Sequence, residues 1–165
     1  MKGIVVRQAG LADLEAINTI YNHYVLHSTC TYQTEPETSE GRRTWFDRHG
    51  PGHPVIVAEA DGVVLGWGSL SAFHARSAYG HTVEDSVYVR HDLRRQGIGR
   101  ILLEDLIERA RDFGHHTIIG IIDAKQPPSI ALHAKQGFVE TGHLRQVGFK
   151  FEQWLDVTYM QLILR

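Results

Sequence analysis

The residues best suited to chemistry form one short basic loop, Arg94-Arg95-Gln96-Gly97-Ile98-Gly99-Arg100. The loop follows a β-type run, Ser86–Val89, and opens a long amphipathic segment, so it is predicted to join a strand to the start of a helix. The first N–H groups of a helix have no intrahelical partner and carry partial positive charge. Glycines let the backbone come close to a ligand. The loop therefore predicts a binding site for a phosphate-rich ligand.

Two common nucleotide-binding loops do not match this stretch. The dinucleotide fingerprint needs G-x-G-x-x-G early in a βαβ unit, and the P-loop needs a G-K-S/T triplet, which the chain lacks. What remains is an R-x-x-G-x-G pattern from Arg94 to Gly99. The pattern is short, so on its own it leaves a second interpretation open, in which the arginines only make the loop soluble.

Composition limits the class of protein. The chain has 165 residues, 42% of them apolar and 22% charged, which is typical of a soluble globular protein with a single domain over residues 1–165. A net charge of −2 argues against bulk nucleic-acid binding. No apolar run is long enough to span a membrane. Cys30 is the only cysteine, so we expect no internal disulfide, no metal site and a cytoplasmic location.

Hydrophobic periodicity supplies the elements that would position the loop. The predicted order is β-α-α-β-β-β-α-β-α-β-β, which mixes antiparallel hairpins with one βαβ crossover. We therefore predict an α/β fold with a single twisted mixed sheet flanked by helices. The predicted segments are a strand at Ile4–Val6, a helix at 11–26, a loop at Ser28–Glu40, a helix at Arg42–Arg48, strands at Pro54–Ala60 and Val63–Ser71 around an Asp61-Gly62 turn, a loop at Phe73–Gly80, a strand at Thr82–Val89, a helix at Ile98–Phe113, a strand at Thr117–Ile122, a helix at Pro128–Lys135, and strands at Phe138–Gly142 and Trp154–Leu164.

Several motifs carry a resemblance to a known family. They are Thr34-Glu35-Pro36, Ala75-Arg76-Ser77-Ala78-Tyr79, Thr82–Val89 before the basic loop, Ser129–His133 before Gly137-Phe138, and Gln146–Lys150 before Trp154-Leu155-Asp156. In combination they make the chain resemble, over nearly its whole length, the phosphinothricin / methionine sulfoximine acetyltransferase branch of the GNAT (GCN5-related N-acetyltransferase) superfamily. The resemblance implies a sheet that splays between its fourth and fifth strands to admit acetyl-CoA. It also implies a homodimer. Since nothing near Cys30 in the sequence is typical of a general base for an acyl-enzyme, we expect direct acetyl transfer in a ternary complex.

The resemblance also implies two catalytic side chains. Glu84 occupies the position of the general base, which removes a proton from the α-ammonium group of the substrate so that its nitrogen can attack the thioester. His133 matches a histidine near the thiol end of the cofactor, where it could protonate the leaving thiolate or bind its sulfur. From the residues alone, Glu84 could equally be a paired surface glutamate, and His133 could have a packing or hydrogen-bonding role.

Asp85 needs a partner if strict alternation holds, because it would share a face with Val83 and Val87. The superfamily has a β-bulge just after the position of Glu84, and we expect one here that frees backbone N–H groups. A freed N–H near Val87 would hold the thioester carbonyl and stabilise the oxyanion. The alternative is that Asp85 points to solvent at a sheet edge.

Acetyl-CoA is the expected co-substrate. The loop is expected to grip its pyrophosphate, mainly through backbone N–H groups. Gln126 departs from the family, which usually has asparagine there, and Ser129 could instead serve only as an N-terminal helix residue. The expected cofactor-binding residues are Val87, Tyr88, Val89, Arg94, Arg95, Gln96, Gly97, Ile98, Gly99, Arg100, Gln126 and Ser129.

The expected acceptor is a small amino acid, such as L-phosphinothricin or L-methionine sulfoximine. Arg76 would bind its acidic group through a bidentate contact. The expected substrate-binding residues are Tyr32, Arg76, Ser77, Ala78, Tyr79 and Glu84. Two alternatives stay open: acetylation of a protein N-terminus or a polyamine, and a non-catalytic acetyl-CoA sensor.

Overall fold

Eleven helices and strands follow one another in the predicted order. The structure is a computed structural model that describes residues 3–164, and none of the helices in that range is long and apolar enough to cross a membrane. Short 3-10 turns lie at Leu11–Asp13, Ser77–Tyr79 and His91–Leu93. The main elements are β1 (Val5–Gln8), α1 (Leu14–His27), α2 (Ser39–Asp47), β2 (Val55–Ala60), β3 (Val63–Ala72), β4 (Thr82–Val89), α3 (Ile98–Phe113), β5 (Thr117–Asp123), α4 (Pro127–Lys135), β6 (Val139–Lys150) and β7 (Gln153–Ile163).

The strands form one mixed sheet, which confirms the predicted fold class. Its order is β1-β2-β3-β4-β5-β7-β6. All pairs are antiparallel except β4 and β5, which run parallel because α3 crosses over between them. This crossover puts the basic loop, which precedes α3, at the carboxyl end of β4.

The sheet opens between β4 and β5. The two strands pair only from Thr82↔Thr117 to Asp85↔Gly120, whereas β4 stays paired with β3 as far as Gly66↔Val89. One edge of β4 therefore lacks a partner strand over its last four residues, Ser86–Val89. This opening agrees with the splay that the resemblance implied.

The β-bulge predicted after Glu84 is wrong, because the β3/β4 ladder has no register shift. Arg90 donates its N–H to the Leu65 carbonyl at 2.9 Å, and alternate residues of an antiparallel strand point their peptide groups to the same neighbour. Val87 and Val89 therefore point their peptide groups away from β3 and into the opening. Strand divergence frees these N–H groups without a bulge.

Two apolar clusters hold β4 in place, one on each face of the sheet. On one face, α3 packs Leu102, Leu103 and Leu106 against the strands, and all three are fully buried. On the other face, α1 packs Ile17 and Ile20, among others, against β2 and β3. Each fully buried aliphatic side chain contributes about 1.5–3 kcal/mol, so the site rests on a firmly packed sheet.

β6 differs most from its prediction. It runs from Val139 to Lys150 and does not end at Gly142. Its pairing with β7 shifts register between Glu140 and Gly142 and again between Leu144 and Gly148. Each shift breaks the two-residue alternation by which a strand is recognised in a sequence.

Candidate active site

A cavity of about 760 Å³ lies at the opening between β4 and β5. Residues from both faces of the sheet line it, together with the basic loop and the segment before α2. The structure thus brings together most of the predicted site residues. Those that line the cavity are Tyr32, Glu84, Val87, Tyr88, Val89, Arg94, Arg95, Gly97, Gly99, Arg100, Gln126, Ser129 and His133.

Gln96 and Ile98 do not line the cavity. Gln96 is exposed on the outside of the loop, and the Ile98 side chain is buried in the core beneath α3. The backbone N–H of Ile98 can still face a ligand, because it belongs to the first turn of α3 and has no intrahelical partner.

The predicted substrate loop, Arg76-Ser77-Ala78-Tyr79, also lies outside the cavity lining. All four residues are exposed. The 3-10 turn directs Tyr79 towards Phe73 and His74, with ring centroids 5.8 and 5.0 Å away. The predicted contact of Arg76 with an acidic substrate group stays a prediction, and the geometry of this chain gives it no support.

The loop before α3 has the backbone of an anion site. Gly97 is the N-cap of α3 with φ of 83°, and Arg95 has φ of 62°. Arg100 donates its N–H back to the Gly97 carbonyl at 3.1 Å, which leaves the N–H groups of Ile98 and Gly99 directed outward. With the exposed guanidinium groups of three arginines around it, this concavity fits a pyrophosphate.

Tyr24 connects this loop to the open edge of β4, a role that its helical spacing did not reveal. Its hydroxyl donates a hydrogen bond to the Val89 carbonyl at 2.5 Å. Arg94 lies over the Tyr24 ring at 5.0 Å and donates from Nε to its hydroxyl at 3.2 Å. α1 thereby fixes both the loop and the last peptide of β4.

Glu84 faces the cavity from the side of the sheet that α1 and α2 cover. Burial, and then the charge of Asp85, raise the pKa of its carboxyl to about 7. Within residues 3–164, no group forms a hydrogen bond with that carboxylate. A carboxyl group with this pKa and a free lone pair can accept a proton near neutral pH.

Asp85 and His133 form a buried pair on the opposite face of β4. Asp85 Oδ2 lies 3.0 Å from His133 Nε2, and His133 Nδ1 lies 2.8 Å from the Ser129 carbonyl oxygen. The prediction that Asp85 shares a face with valines and needs a partner is thus confirmed, and His133 is that partner. The alternative, an Asp85 exposed at a sheet edge, is wrong.

The surroundings of His133 favour its charged form. Burial lowers the pKa of the imidazole, but the charge and hydrogen bond of Asp85 and the Ser129 carbonyl raise it more, so the net shift is upward. Both ring nitrogens face acceptors, which is the pattern of an imidazolium donating twice. The predicted role of His133 as proton donor to the thiolate stays a prediction, and it would require one of these bonds to break.

A second group of cavity residues went unnoticed in the sequence. Tyr21, Trp45 and Trp67 surround the buried guanidinium of Arg42, and we call these three side chains the aromatic box. Tyr21 was predicted only as part of the apolar face of the first helix, and Trp45 and Trp67 carried no functional prediction. Because α1, α2 and β3 each supply one ring, only the folded chain brings the box together.

Comparison with known proteins gives a consistent result. Residues 17–138 match the model of the acetyltransferase (GNAT) family. The chain is 44% identical over 159 residues to an L-methionine sulfoximine/L-methionine sulfone acetyltransferase of Pseudomonas aeruginosa, covering 95% of this chain and 92% of the relative. It is 42% identical over 158 residues to an L-amino acid N-acyltransferase of Escherichia coli, with the same coverages of 95% and 92%.

The fold has close counterparts among solved structures. A phosphinothricin acetyltransferase of the GNAT superfamily from Sinorhizobium meliloti, crystallised with acetyl-CoA, superimposes with a TM-score of 0.94 at 38% identity. The alignment covers 98% of this chain and 88% of that structure. The sheet, its opening and its helices therefore have the arrangement of that superfamily.

Proposed function

The chain belongs to the acetyltransferase (GNAT) family and is an N-acetyltransferase, and from this premise we propose that it acetylates the α-amino group of a small amino acid or analogue with acetyl-CoA as donor. The proposed acceptors are of the L-methionine sulfoximine or L-phosphinothricin type, since relatives carry those names. The single observation that carries the proposal is Glu84, a mostly buried carboxylate with a pKa of about 7 beside the open edge of β4.

The donor would bind along that open edge. Backbone N–H groups at Ile98 and Gly99, with the guanidinium groups of Arg94, Arg95 and Arg100, suit the pyrophosphate. The peptide groups of Val87 and Val89 have no strand partner and suit the amides of the pantetheine arm. Gln126 and Ser129 line the far side of the cavity at the start of α4.

The proposed transfer is direct. Glu84 accepts a proton from the α-ammonium group, and the freed nitrogen lone pair attacks the acetyl carbonyl carbon. The Val87 N–H donates to the carbonyl oxygen as negative charge develops on it. A C–N bond forms, the C–S bond breaks, and the thiolate leaves. Of the two protons that the ammonium loses, one ends on the thiol and one in solvent.

A homodimer and a cytoplasmic location complete the proposal. The β6–β7 hairpin presents large apolar side chains to solvent, including Phe149 and Trp154 at 56% and 59% exposure. A patch of this kind supports a protein interface. Cys30 is a free thiol, which supports a reducing compartment.

The test is thiol release from acetyl-CoA with a panel of acceptors. The panel contains L-phosphinothricin, L-methionine sulfoximine, a polyamine and a short peptide. We expect rapid release with the two amino-acid analogues and none with the others. Release only with the polyamine or the peptide would assign the enzyme to another substrate class. Binding of acetyl-CoA without release from any acceptor would favour a sensor and contradict the proposed function.

A further inference from the structure

Arg42 is a charged side chain enclosed by aromatic rings. Only 4% of the residue is exposed. Its guanidinium carbon lies 4.7 Å from the centre of the Tyr21 ring, 4.6 Å from that of Trp45 and 5.7 Å from that of Trp67. Cation–π contacts of this kind stabilise a guanidinium, although they supply no hydrogen-bond acceptor. The aromatic box therefore holds the charge in place without neutralising it.

The guanidinium forms no salt bridge with the described residues, although the negative charge of Glu37 favours its charged form. Its one side-chain hydrogen bond runs from Nε to Asn18 Oδ1 at 3.1 Å, and no carboxylate of residues 3–164 lies within salt-bridge distance. Glu37, the acidic residue beside it in the cavity wall, accepts a hydrogen bond from the Thr38 N–H. Burying this charge is costly, and Glu37 offsets the cost only without contact, so a ligand anion in direct contact would offset it further.

A second unpartnered donor lies in the same box. The indole Nε1 of Trp67 is buried and has no hydrogen-bond partner in the described chain. Both Arg42 and Trp67 line the cavity. The Trp67 nitrogen has no surface open to the cavity, so the donors that a ligand acceptor can meet are the terminal guanidinium nitrogens of Arg42, which form no hydrogen bond within residues 3–164.

The β3/β4 register relates the box to the base. Trp67 pairs with Tyr88, Ser69 with Ser86, and Ser71 with Glu84. These three pairs lie on the same face of the sheet and form a row along the strands. The box lies at one end of this row and the carboxylate of Glu84 at the other, with Ser69 and Ser86 between them. The Val87 N–H, where the acetyl carbonyl would be held, is one residue from the level of the box, about 3.3 Å along the strand.

We propose that Arg42 binds the α-carboxylate of the acceptor amino acid. The inference rests on the proposed function, in which an α-amine reacts beside Val87. An α-amino nitrogen and its carboxylate are separated by a single carbon atom, which matches the short step along β4 from Val87 to the box. Arg42 then faces the carboxylate, while Glu84, three residues or about 10 Å along β4 from Val87, takes the ammonium proton through intervening water. A polyamine has no anion to offer Arg42 and would leave its charge uncompensated.

Binding of two matched ligands tests this assignment without requiring turnover. L-Methionine sulfoximine and its carboxamide, which lacks only the negative charge, are titrated into the protein in the presence of CoA. Trp45 and Trp67 belong to the box, so tryptophan fluorescence reports occupancy directly. The wild type is compared with Arg42→Met, Arg42→Lys and a control, Arg43→Met. The control removes an exposed arginine of the same helix that pairs with Asp47.

We expect the wild type and Arg43→Met to bind the free acid about 10- to 100-fold more tightly than the carboxamide, the range for a hydrogen-bonded charge. Arg42→Met should abolish that preference. Arg42→Lys should retain part of it, because lysine keeps the charge but loses the bidentate fork. Comparing the ratio between variants cancels any difference in the amine pKa of the two ligands.

Three results would overturn the proposal: no preference in the wild type, an unchanged preference in Arg42→Met, or equal weakening of both ligands in that variant. The last result is what a purely structural role for Arg42 predicts. If Arg42→Met does not fold, Arg42→Lys provides the test. A preference for the free acid as large as that of the wild type would contradict a bidentate contact. A wild type that binds the free acid selectively but transfers no acetyl group would refute the proposed function and leave the carboxylate site standing.

Discussion

Glu84 and Asp85 are neighbours in β4, yet they face opposite sides of the sheet and have different surroundings. Asp85 is buried against His133, which gives it a partner for one carboxylate oxygen, while Oδ1 has none. Glu84 has no partner within residues 3–164 and lines the cavity. A single step along the strand thus separates the buried Asp85–His133 pair from the proposed base.

The protonation of Glu84 sets two pH dependences of definite sign. Its pKa is raised to about 7 from an ordinary value of 4.5, so the folded chain holds this proton more tightly than the unfolded chain. The resulting stability is complete below about pH 4.5 and is lost as the pH rises through about 7. A base acts only when deprotonated, so activity should rise over the same upper range. Burial of Glu84 thus lowers the free energy of unfolding at the pH at which the proposed base would be deprotonated.

Gly97 starts α3 in a left-handed conformation, so we expect the binding of acetyl-CoA to depend on it. A Cβ atom added to it would meet nothing within 4 Å, so Gly97→Ala acts only through its φ of 83°. Such a conformation costs a residue with a side chain about 1–2 kcal/mol. We expect the KM for acetyl-CoA to rise about 5- to 30-fold with little change in kcat, as measured by steady-state kinetics.

Gly62 offers a matched control for this substitution. It lies in the β2–β3 turn with φ of 77°, and a Cβ there would also meet nothing within 4 Å. Gly62→Ala should lower the free energy of unfolding by a similar amount and leave the KM for acetyl-CoA unchanged. If the two variants affect that KM equally, the loop before α3 has no special role in donor binding.

The sequence predicted some elements residue by residue and missed others, for identifiable reasons. The bounds of β4 and α3 are those that periodicity indicated, since a clear alternation and a clear apolar stripe define them. β6 was predicted too short because two register shifts interrupt its alternation. The opening of the sheet was predicted from the family resemblance, because no local pattern in β4 or β5 indicates where the two strands diverge.

Some features of the candidate site could likewise be predicted from the sequence, and others could not. The loop before α3 is contiguous, so a pattern could reveal it. Arg42 receives its rings from three separate elements, and the pairing of Asp85 with His133 joins β4 to α4, so neither arrangement has a local signal. The prediction for Arg76 came from motif position alone, and the structure places this residue outside the cavity lining.

At the scale of the whole molecule, one end of the sheet is apolar and uncovered. Phe149 and Trp154 pack against each other with ring centroids 5.0 Å apart, and both are more than half exposed. If this face joins two copies of the chain, Trp154→Glu should place a charge in the interface and convert a dimer to a monomer. Size-exclusion chromatography with light scattering measures the outcome.

Val5 provides the control for that experiment. It is 59% exposed, as Trp154 is, but lies on β1 at the opposite edge of the sheet. Val5→Glu should leave the dimer intact. A monomeric wild type, or a Trp154→Glu variant that stays dimeric, would contradict the proposed interface at the β6–β7 hairpin.

The most direct test of the central claim is the pH profile of kcat/KM for acetylation of L-methionine sulfoximine by the wild type and by Glu84→Gln. Removing a general base costs about 10²- to 10⁴-fold. We expect the wild-type profile to rise through about pH 7, and the variant to lose both this rise and most of the rate while it binds acetyl-CoA as before. A variant with near wild-type turnover at neutral pH, or one that keeps the same titration, would contradict the assignment of Glu84 as the base.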